Sequence, residues 1–183
     1  MSNTIAALVV SLPERRDLLT EALQSVWEQT LQPVDTVVGI DPRRLGEVAN
    51  MNRLIDATDS DWLAFLHDDD IWHPDHLAVC AEYFDDADVI VSRFDLIGRP
   101  WSSIEPWHTD FEDLRRTNWI GSPSMVVARR RTFGRWCNPT PGRRWVDWAN
   151  WNRLLDHGAR FVDTGVVTVD YRFMGGNGSW SPR

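Results

Sequence analysis

The stretch FLHDDDIWHPDHL, residues 65–77, decides the fold class because it joins a strand to a helix through an acidic turn. The run Trp62–Leu66 is apolar and short, as expected of a buried strand, and a proline opens the predicted helix Pro74–Phe84. Between them lie the three consecutive carboxylates Asp68–Asp70. Adjacent carboxylates repel each other unless a positive charge lies among them, so this turn predicts a bound cation.

Strands and helices alternate around this stretch in the first half of the chain. The predicted elements are strands at residues 4–10, 36–40, 62–66 and 88–92, and helices at 15–29, 45–57 and 74–84. Such alternation predicts an α/β fold with a mostly parallel central sheet flanked by helices. Ligands of such sheets bind beyond the carboxyl ends of the strands, where the acidic turn stands.

The second half of the chain is less regular in pattern. The predicted elements are a short helix at residues 111–115, a strand at 124–128, a helix at 146–156 and closing strands at 161–162 and 166–171. The tail, residues 172–183, is rich in turn-forming residues and is predicted to be flexible. Since the chain shows neither a repeat nor a linker, residues 1–183 are expected to form a single domain.

Composition narrows the class of protein further. The 183 residues are 43% hydrophobic, which is enough for one sizeable core. A formal charge of -8 disfavours a nucleic-acid phosphate track as the main binding surface. All 19 basic residues are arginine. Walker-type phosphate loops and Schiff-base chemistry both need a lysine, so the sequence excludes them.

No segment of the sequence predicts a membrane span or secretion. The run IAALVV, residues 5–10, lacks a basic flank and is too short to cross a bilayer, so it is predicted to be a buried strand. Cys80 and Cys137 lie far apart without a CxxC neighbour, which suggests neither a zinc site nor a disulfide framework. A reducing compartment fits best, and we expect a cytoplasmic protein.

The acidic turn is compatible with two metal chemistries and with a purely structural role. Carboxylate oxygens suit Mg²⁺ or Mn²⁺, and such an ion takes its remaining ligands from substrate phosphates, which points to a nucleotide diphosphate. A zinc-type hydrolytic site built from His67, His73 and His76 is the rival. Pro74 weakens this alternative because a helix that starts there leaves His73 outside it. His73 and His76 then cannot form a facing pair on one helix. Structurally, the carboxylates could simply cap the next helix or face solvent.

Four segments, taken in order, resemble family 2 glycosyltransferases, which carry a GT-A fold. The run DSDWLAFLHDDDIWHPDHL (59–77) is similar to the family's strand, acidic motif and helix. The other three are LVVSLPERRDLLTEALQSVWEQT (8–30), ANMNRLIDAT (49–58) and RRWVDWANWNRLLDHGARFV (143–162). The last of these is similar to the segment that carries the family's catalytic base.

The resemblance implies a role for four carboxylates. Asp68 and Asp69 match the carboxylates that bind metal and diphosphate in the DXD-type motif, with Asp69 the stronger candidate for the metal ligand. Asp41 matches the aspartate that contacts the nucleotide base. Asp147 matches the base that deprotonates the acceptor hydroxyl in inverting members.

The activity implied by the resemblance is transfer of a sugar from a nucleotide diphosphate sugar to a hydroxyl acceptor with inversion. Mn²⁺ or Mg²⁺ is the expected cofactor and a UDP-sugar the expected donor, while the acceptor stays unidentified. Residues 1–92 would form the nucleotide-sugar half and residues 93–171 the acceptor and base half.

Several positions depart from the family pattern. His67 replaces the first aspartate of the acidic run, and Val146 replaces the glutamate before the base. The family's YRxH segment reads Tyr171, Arg172, Phe173 and Met174 here, and methionine is a poor ligand for a hard cation. The link after Asp41 is also shorter than usual, which indicates a trimmed nucleotide side.

Two other functions and the acceptor surface complete the sequence-based expectations. A divalent-metal hydrolase of a phosphoester or nucleotide sugar is one alternative, and it would release free sugar or phosphate without an acceptor. A non-catalytic binding module for a nucleotide sugar or carbohydrate is the other. Trp101, Trp107 and Trp119 fall in the region expected to face the acceptor, where indole faces could stack on sugar rings or simply pack.

Overall fold

A computed structural model of the chain describes residues 3–97, 110–139 and 145–172. Its strands are β1 (Ile5–Ser11), β2 (Asp35–Ile40), β3 (Trp62–His67), β4 (Ile71–Trp72), β5 (Val89–Ile97), β6 (Val126–Arg129) and β7 (Phe161–Arg172). Its α-helices are α1 (Arg16–Trp27), α2 (Glu47–Asp56), α3 (His76–Ala81), α4 (Arg130–Phe133) and α5 (Val146–Asp156). Short 3-10 helices span Phe111–Arg115 and Pro123–Met125.

The strands form one mixed sheet in the order β2-β1-β3-β6-β5-β7-β4. The β1 strand pairs in parallel with β2 and β3, and β5 pairs in parallel with β7. The β6 strand runs antiparallel between β3 and β5, and β4 runs antiparallel to β7. The α/β single domain expected from the sequence is confirmed, with a sheet that combines both strand directions. None of the helices in the described ranges is long and apolar enough to cross a bilayer.

Several element boundaries agree with the sequence pattern. The helix predicted at 146–156 and the short helix predicted at 111–115 occupy those same residues. The predicted helix from Pro74 begins later, at His76, because a turn closes first through a hydrogen bond from His76 N to His73 O (3.0 Å). The two closing strands form the single strand β7, which accommodates Gly165 (φ 72°) through shifts in its register with β5.

Tryptophan side chains build much of the core. Trp62 stacks on Phe84, with ring centroids 4.0 Å apart and planes 9° apart. Trp136 packs edge-on against Trp151 and Phe65 on the other side of the sheet. These three indoles are buried, so they stabilise the fold and contribute nothing to a ligand surface.

Helix α2 lies unusually close to strand β2 at Gly39. A β-carbon added at this glycine would lie 2.7 Å from Asn50 Oδ1 and 2.8 Å from Leu54 Cδ2. The Asn50 amide also donates a hydrogen bond to the Gly39 carbonyl at 2.9 Å. The missing side chain at Gly39 therefore sets the distance between helix and sheet, and α2 carries Glu47 at its first position.

Candidate active site

The acidic turn stands at the carboxyl ends of β1 and β3, as expected for a ligand site of an α/β sheet. Val10 pairs with His67, so the residues that follow these two strands lie side by side. Asp68 is 1% exposed, and its carboxylate accepts hydrogen bonds from Ser11 Oγ (2.7 Å) and Arg15 Nη1 (2.9 Å). Its partners come from the first strand and the turn after it, so Asp68 serves to join β3 to β1.

Asp69 is more accessible than its two neighbours. Its side chain is 18% exposed, and Arg15 Nη1 also reaches its carboxylate at 3.0 Å. The guanidinium of Arg15 therefore bridges Asp68 and Asp69 and neutralises part of their charge. The backbone carbonyl of Asp69 accepts a hydrogen bond from Arg172 Nε (3.1 Å), which ties the turn to the end of β7.

Asp70 is buried beneath the turn. Its Oδ2 accepts hydrogen bonds from Ser122 Oγ (2.8 Å) and Ser124 Oγ (2.6 Å), and its Oδ1 accepts one from Arg172 N (3.1 Å). Burial, reinforced by the charge of Asp69, raises the pKa of Asp70 to about 6. Because Asp70 is buried beside another carboxylate, a nearby positive charge would stabilise its ionised form.

His67 links the acidic turn to helix α2. Its Nε2 lies 3.2 Å from Glu47 Oε1, and both side chains are largely buried, with 16% and 14% exposed. Burial alone would lower the pKa of this imidazole, but the hydrogen bond and charge of Glu47, with the charges of Asp69 and Asp70, raise it to about 9.

A group of three side chains at this turn has the composition of a metal site. His67, Asp69 and Asp70 each offer a ligand atom, and these atoms lie within 4.8 Å of one another. Two carboxylates and one imidazole form a donor set that suits Mn²⁺ and, less well, Mg²⁺. The group includes Asp69, which the family resemblance suggests as a metal ligand, together with His67 and Asp70, whereas Asp68 is not one of its members. Metal binding by these residues stays a prediction.

Of the three histidines of the rival zinc site, His73 and His76 do not join this group among the described residues. His73 Nε2 lies 3.1 Å from Asp170 Oδ1. His76 is buried, stacks on Trp72 and contacts Thr168 Oγ1 at 2.8 Å. Burial lowers the pKa of His76 to about 3, so its ring is neutral in the core. The geometry therefore gives no support to a zinc-type site built on His73 and His76.

Asp147 lies in the first turn of α5 and is partly buried near the same edge of the sheet. Its Oδ2 accepts a hydrogen bond from Asn118 Nδ2 (2.9 Å), and its Oδ1 accepts one from Trp148 N (2.7 Å). Burial raises its pKa to about 6, although both hydrogen bonds favour the charged form. A carboxylate with a pKa this close to neutral pH is suited to general base catalysis.

Asp147 and the acidic turn lie within electrostatic range of each other. The charge of Glu47 raises the pKa of Asp147 and that of His67 lowers it. The pKa of Tyr171 responds to both regions. Burial and the charges of Asp70, Asp69 and Asp147 together raise it to about 12. The fold therefore brings two segments nearly eighty positions apart in sequence, the acidic turn and the start of α5, to one region.

Asp41 follows β2 at the same sheet edge and is 3% exposed. Its two carboxylate oxygens accept hydrogen bonds from Leu45 N (3.0 Å) and Gly46 N (2.9 Å). Asp41 therefore shapes the loop that leads into α2, in which Arg44 adopts a positive φ of 49°. A contact of Asp41 with a nucleotide base stays a prediction.

The sequence pattern did not identify the residues that orient these groups. Glu47, Asn118 and Ser124 are separated from their partners by 20, 29 and 54 positions, so no local spacing signals the contacts. Glu47 stands two positions before the ANMN segment, and no local pattern connects it with His67.

Some sequence-based expectations fall on residues that the structure does not describe. Trp101 and Trp107, expected near the acceptor, lie outside the described residues, as do Phe173 and Met174 with the rest of the tail. Trp119 is described and packs against Phe111, with ring centroids 5.2 Å apart.

Comparisons with known proteins agree with this geometry. No curated protein matches the chain in sequence. Among solved structures, a 1–349 fragment of S. aureus TarS in complex with UDP superposes with a TM-score of 0.70 over 93% of this chain, at 13% identity. The same fragment in complex with UDP-GlcNAc gives a TM-score of 0.66 over 95% of the chain, at 14% identity. The chain spans 60% of the length of that fragment, and at this identity the likeness shows a shared fold.

A family profile provides the sequence evidence that the structural likeness lacks. The profile described as "Glycosyl transferase family 2" matches residues 40–136, more than half of the 183-residue chain. The match contains the acidic turn, the serine partners Ser122 and Ser124 of Asp70, and Asn118. The fold, the placement of the acidic turn and this match lead to one conclusion: the chain is a member of glycosyl transferase family 2, with a GT-A fold.

Proposed function

We propose that the chain transfers a sugar from a nucleotide diphosphate sugar to a hydroxyl acceptor, with inversion at the anomeric carbon. The observation that carries this proposal is the pairing of a partly buried carboxylate, Asp147, with the acidic turn at one edge of the sheet. Single displacement needs a base on the acceptor side and positive charge on the leaving-group side, and these two regions supply those functions.

Asp147 is the proposed general base. Its pKa of about 6 leaves it ionised at neutral pH yet close enough to that pH to accept a proton effectively. The acceptor hydroxyl gives its proton to the Asp147 carboxylate while its oxygen bonds to the anomeric carbon. The bond from that carbon to the diphosphate oxygen breaks at the same time, and the diphosphate leaves with the electron pair. Asn118 keeps the carboxylate oriented through its 2.9 Å hydrogen bond.

The acidic turn is the proposed site of Mn²⁺ or Mg²⁺. Asp69 is the central ligand, and the geometry favours His67 and Asp70 as its companions. Asp68 was expected to share the metal, and in this proposal it supports Asp69 through their common partner Arg15. A bound divalent ion would neutralise the charge that develops on the departing diphosphate.

A UDP-sugar is the proposed donor. The support comes from S. aureus TarS, whose fragment has been solved with UDP and with UDP-GlcNAc and shares this fold. Asp41 stands at the carboxyl end of β2, next to the turn after β1, and we propose that it contacts the base of the nucleotide. Arg53 donates a hydrogen bond to the Ile40 carbonyl on the same side, which holds α2 against this edge (3.2 Å). A cytoplasmic location, suggested by two free cysteines, belongs to the same proposal.

A nucleotide panel tests the donor assignment. Thermal shifts would be measured with UDP, GDP, TDP and CDP, each with and without Mn²⁺. We expect Mn²⁺-dependent stabilisation by UDP and not by GDP, TDP or CDP. A ligand that binds only the folded state raises the melting temperature. The absence of any shift would contradict a nucleotide-sugar site.

The variant Asp147→Asn tests the reaction. We expect loss of turnover with donor binding retained, because the amide keeps the shape of the carboxylate and cannot accept the proton. Release of free sugar without any acceptor, at the rate of transfer, would identify a hydrolase instead. Donor binding with no turnover in the unaltered chain would identify a binding module.

A further inference from the structure

His67 lies near carboxylates from two parts of the chain. Glu47 Oε1, carried by helix α2, lies 3.2 Å from its Nε2. A ring nitrogen of His67 also lies within 4.8 Å of carboxylate oxygens of Asp69 and Asp70. This arrangement joins an element outside the acidic turn to the proposed metal group.

The backbone of His67 is fixed by the same serine that holds Asp70. Ser124 Oγ accepts a hydrogen bond from His67 N (3.0 Å) and lies 2.6 Å from Asp70 Oδ2, to which it donates. Motion of His67 relative to Asp70 would disturb both hydrogen bonds. The imidazole is therefore held at its backbone by Ser124 and at Nε2 by Glu47.

Histidines that bind metals in proteins commonly donate their second ring N–H to a carboxylate, which fixes the tautomer and the ring orientation. Since Glu47 occupies Nε2, the nitrogen left for a cation is Nδ1. Imidazole is a better ligand for first-row transition ions than for Mg²⁺, which prefers carboxylate, carbonyl and water oxygens.

We propose that His67 ligates the divalent ion through Nδ1, that Glu47 is the positioning residue that holds it there, and that the site consequently prefers Mn²⁺ over Mg²⁺. This inference rests on the proposed function for the role of the ion. It adds a nitrogen ligand at a position where the sequence pattern indicated only a lost carboxylate, and it assigns a task to Glu47.

Titration of the whole chain with Mn²⁺ alone, followed by electron paramagnetic resonance, tests the role of Glu47. We expect Glu47→Gln to weaken Mn²⁺ binding by about 10- to 100-fold, since loss of a carboxylate behind a ligating histidine has an effect of this size. The matched control is Asp170→Asn, which alters a similar pair, His73 Nε2 to Asp170 Oδ1 at 3.1 Å, outside the metal group. Equal affinities of the unaltered chain and Glu47→Gln would overturn the role of Glu47.

Pulsed resonance of the bound Mn²⁺ tests ligation directly, because a coordinated imidazole gives a nitrogen coupling that carboxylates cannot give. We expect that coupling in the unaltered chain and its loss in His67→Asp, which should also bind Mg²⁺ relatively better. Bound Mn²⁺ without nitrogen coupling would overturn the ligand assignment.

A separate measurement, sugar transfer by the unaltered chain, tests the proposed function. Transfer that persists without any divalent ion would contradict the role proposed for the metal in the reaction and leave the sugar transfer itself standing. Nitrogen-coupled Mn²⁺ in a chain that turns over no nucleotide sugar would instead support the ligand set and contradict the transferase.

Discussion

The two ends of the candidate site are built differently. The acidic turn is held by side chains drawn from the whole length of the described chain, from Ser11 and Arg15 to Ser124 and Arg172. Within the described residues, Asp147 is held by one distant side chain, Asn118, and by its own helix. The proposed leaving-group end thus has more hydrogen bonds than the proposed base end in this part of the chain.

This difference teaches that similar pKa values do not imply similar roles. Asp70, which is buried, and Asp147, which is partly buried, are carboxylates with a pKa raised to about 6. Asp70 accepts hydrogen bonds from two serines and a backbone amide, so its oxygens serve the fold in addition to the cation site proposed for them. Asp147 accepts fewer and is better placed to exchange a proton.

The largest expected effect is at the base end. Asp147→Asn should lower the turnover number by about 10²- to 10⁴-fold, the usual contribution of a general base, with little change in stability. The measurement is initial rate against donor concentration, alongside donor affinity. The control is Asp156→Asn in the same helix, where the carboxylate is exposed and paired with Arg115 (2.6 Å). An undiminished rate in Asp147→Asn would remove Asp147 from the mechanism.

At the acidic turn, loss of Arg15 should act mainly by lowering the free energy of unfolding. Arg15→Met leaves Asp68, which is 1% exposed, without its counterion, and breaking a buried ion pair in this way costs about 3–5 kcal/mol. The control is Arg135→Met, which breaks an exposed ion pair with Asp56 and should cost no more than about 1 kcal/mol. Urea denaturation of both variants gives the two free energies of unfolding, and equal losses would contradict the distinction.

A smaller effect is expected where α2 meets the sheet. Gly39→Ala places a methyl group 2.7 Å from Asn50 Oδ1, and overpacking of this kind costs about 1–3 kcal/mol. Because α2 also carries Glu47, Mn²⁺ affinity should fall together with the free energy of unfolding. Unchanged Mn²⁺ affinity in a destabilised variant would show that α2 shifts without moving Glu47.

The smallest expected effect is a shift in the pH dependence of the turnover number. The turnover number should rise with pH through a limb near pH 6, because Asp147 accepts a proton only when ionised. The Asn118 hydrogen bond favours the charged form, so Asn118→Ala should move this limb to higher pH. A pH series of turnover numbers measures the shift, and the two proteins should differ least at high pH, where Asp147 is ionised in both. An unmoved limb would mean that another group titrates.

Sequence reasoning was most successful where the signal is local. Apolar periodicity placed the α5 helix at its observed residues, 146–156, and the end of a buried strand placed the acidic turn. The role of Asp147 was suggested by resemblance to a family segment and stays a prediction. The break predicted between residues 162 and 166 was wrong because β7 passes through Gly165 with a shift in register, which no pattern of apolar residues encodes.

Contacts between distant segments were the part that sequence could not supply. The pairing of Glu47 with His67 depends on the approach of α2 to the sheet at Gly39, a property of packing. Asn118 reaches Asp147 from an irregular segment with no repeating pattern. The displacement of Asp68 from the metal group follows from Ser11 and Arg15, which lie more than fifty positions upstream.

The hydrogen bond from Arg172 N to Asp70 has a consequence for the order of folding. It joins residues 102 positions apart and requires the last described strand to dock beside the acidic turn. Contacts of such long range form slowly, because chain entropy must be lost before they contribute. The local pairing of β1 with β2 can form well before β7 arrives. We therefore expect recovery of metal binding during refolding to lag behind recovery of secondary structure, with the site completed as one of the final folding events.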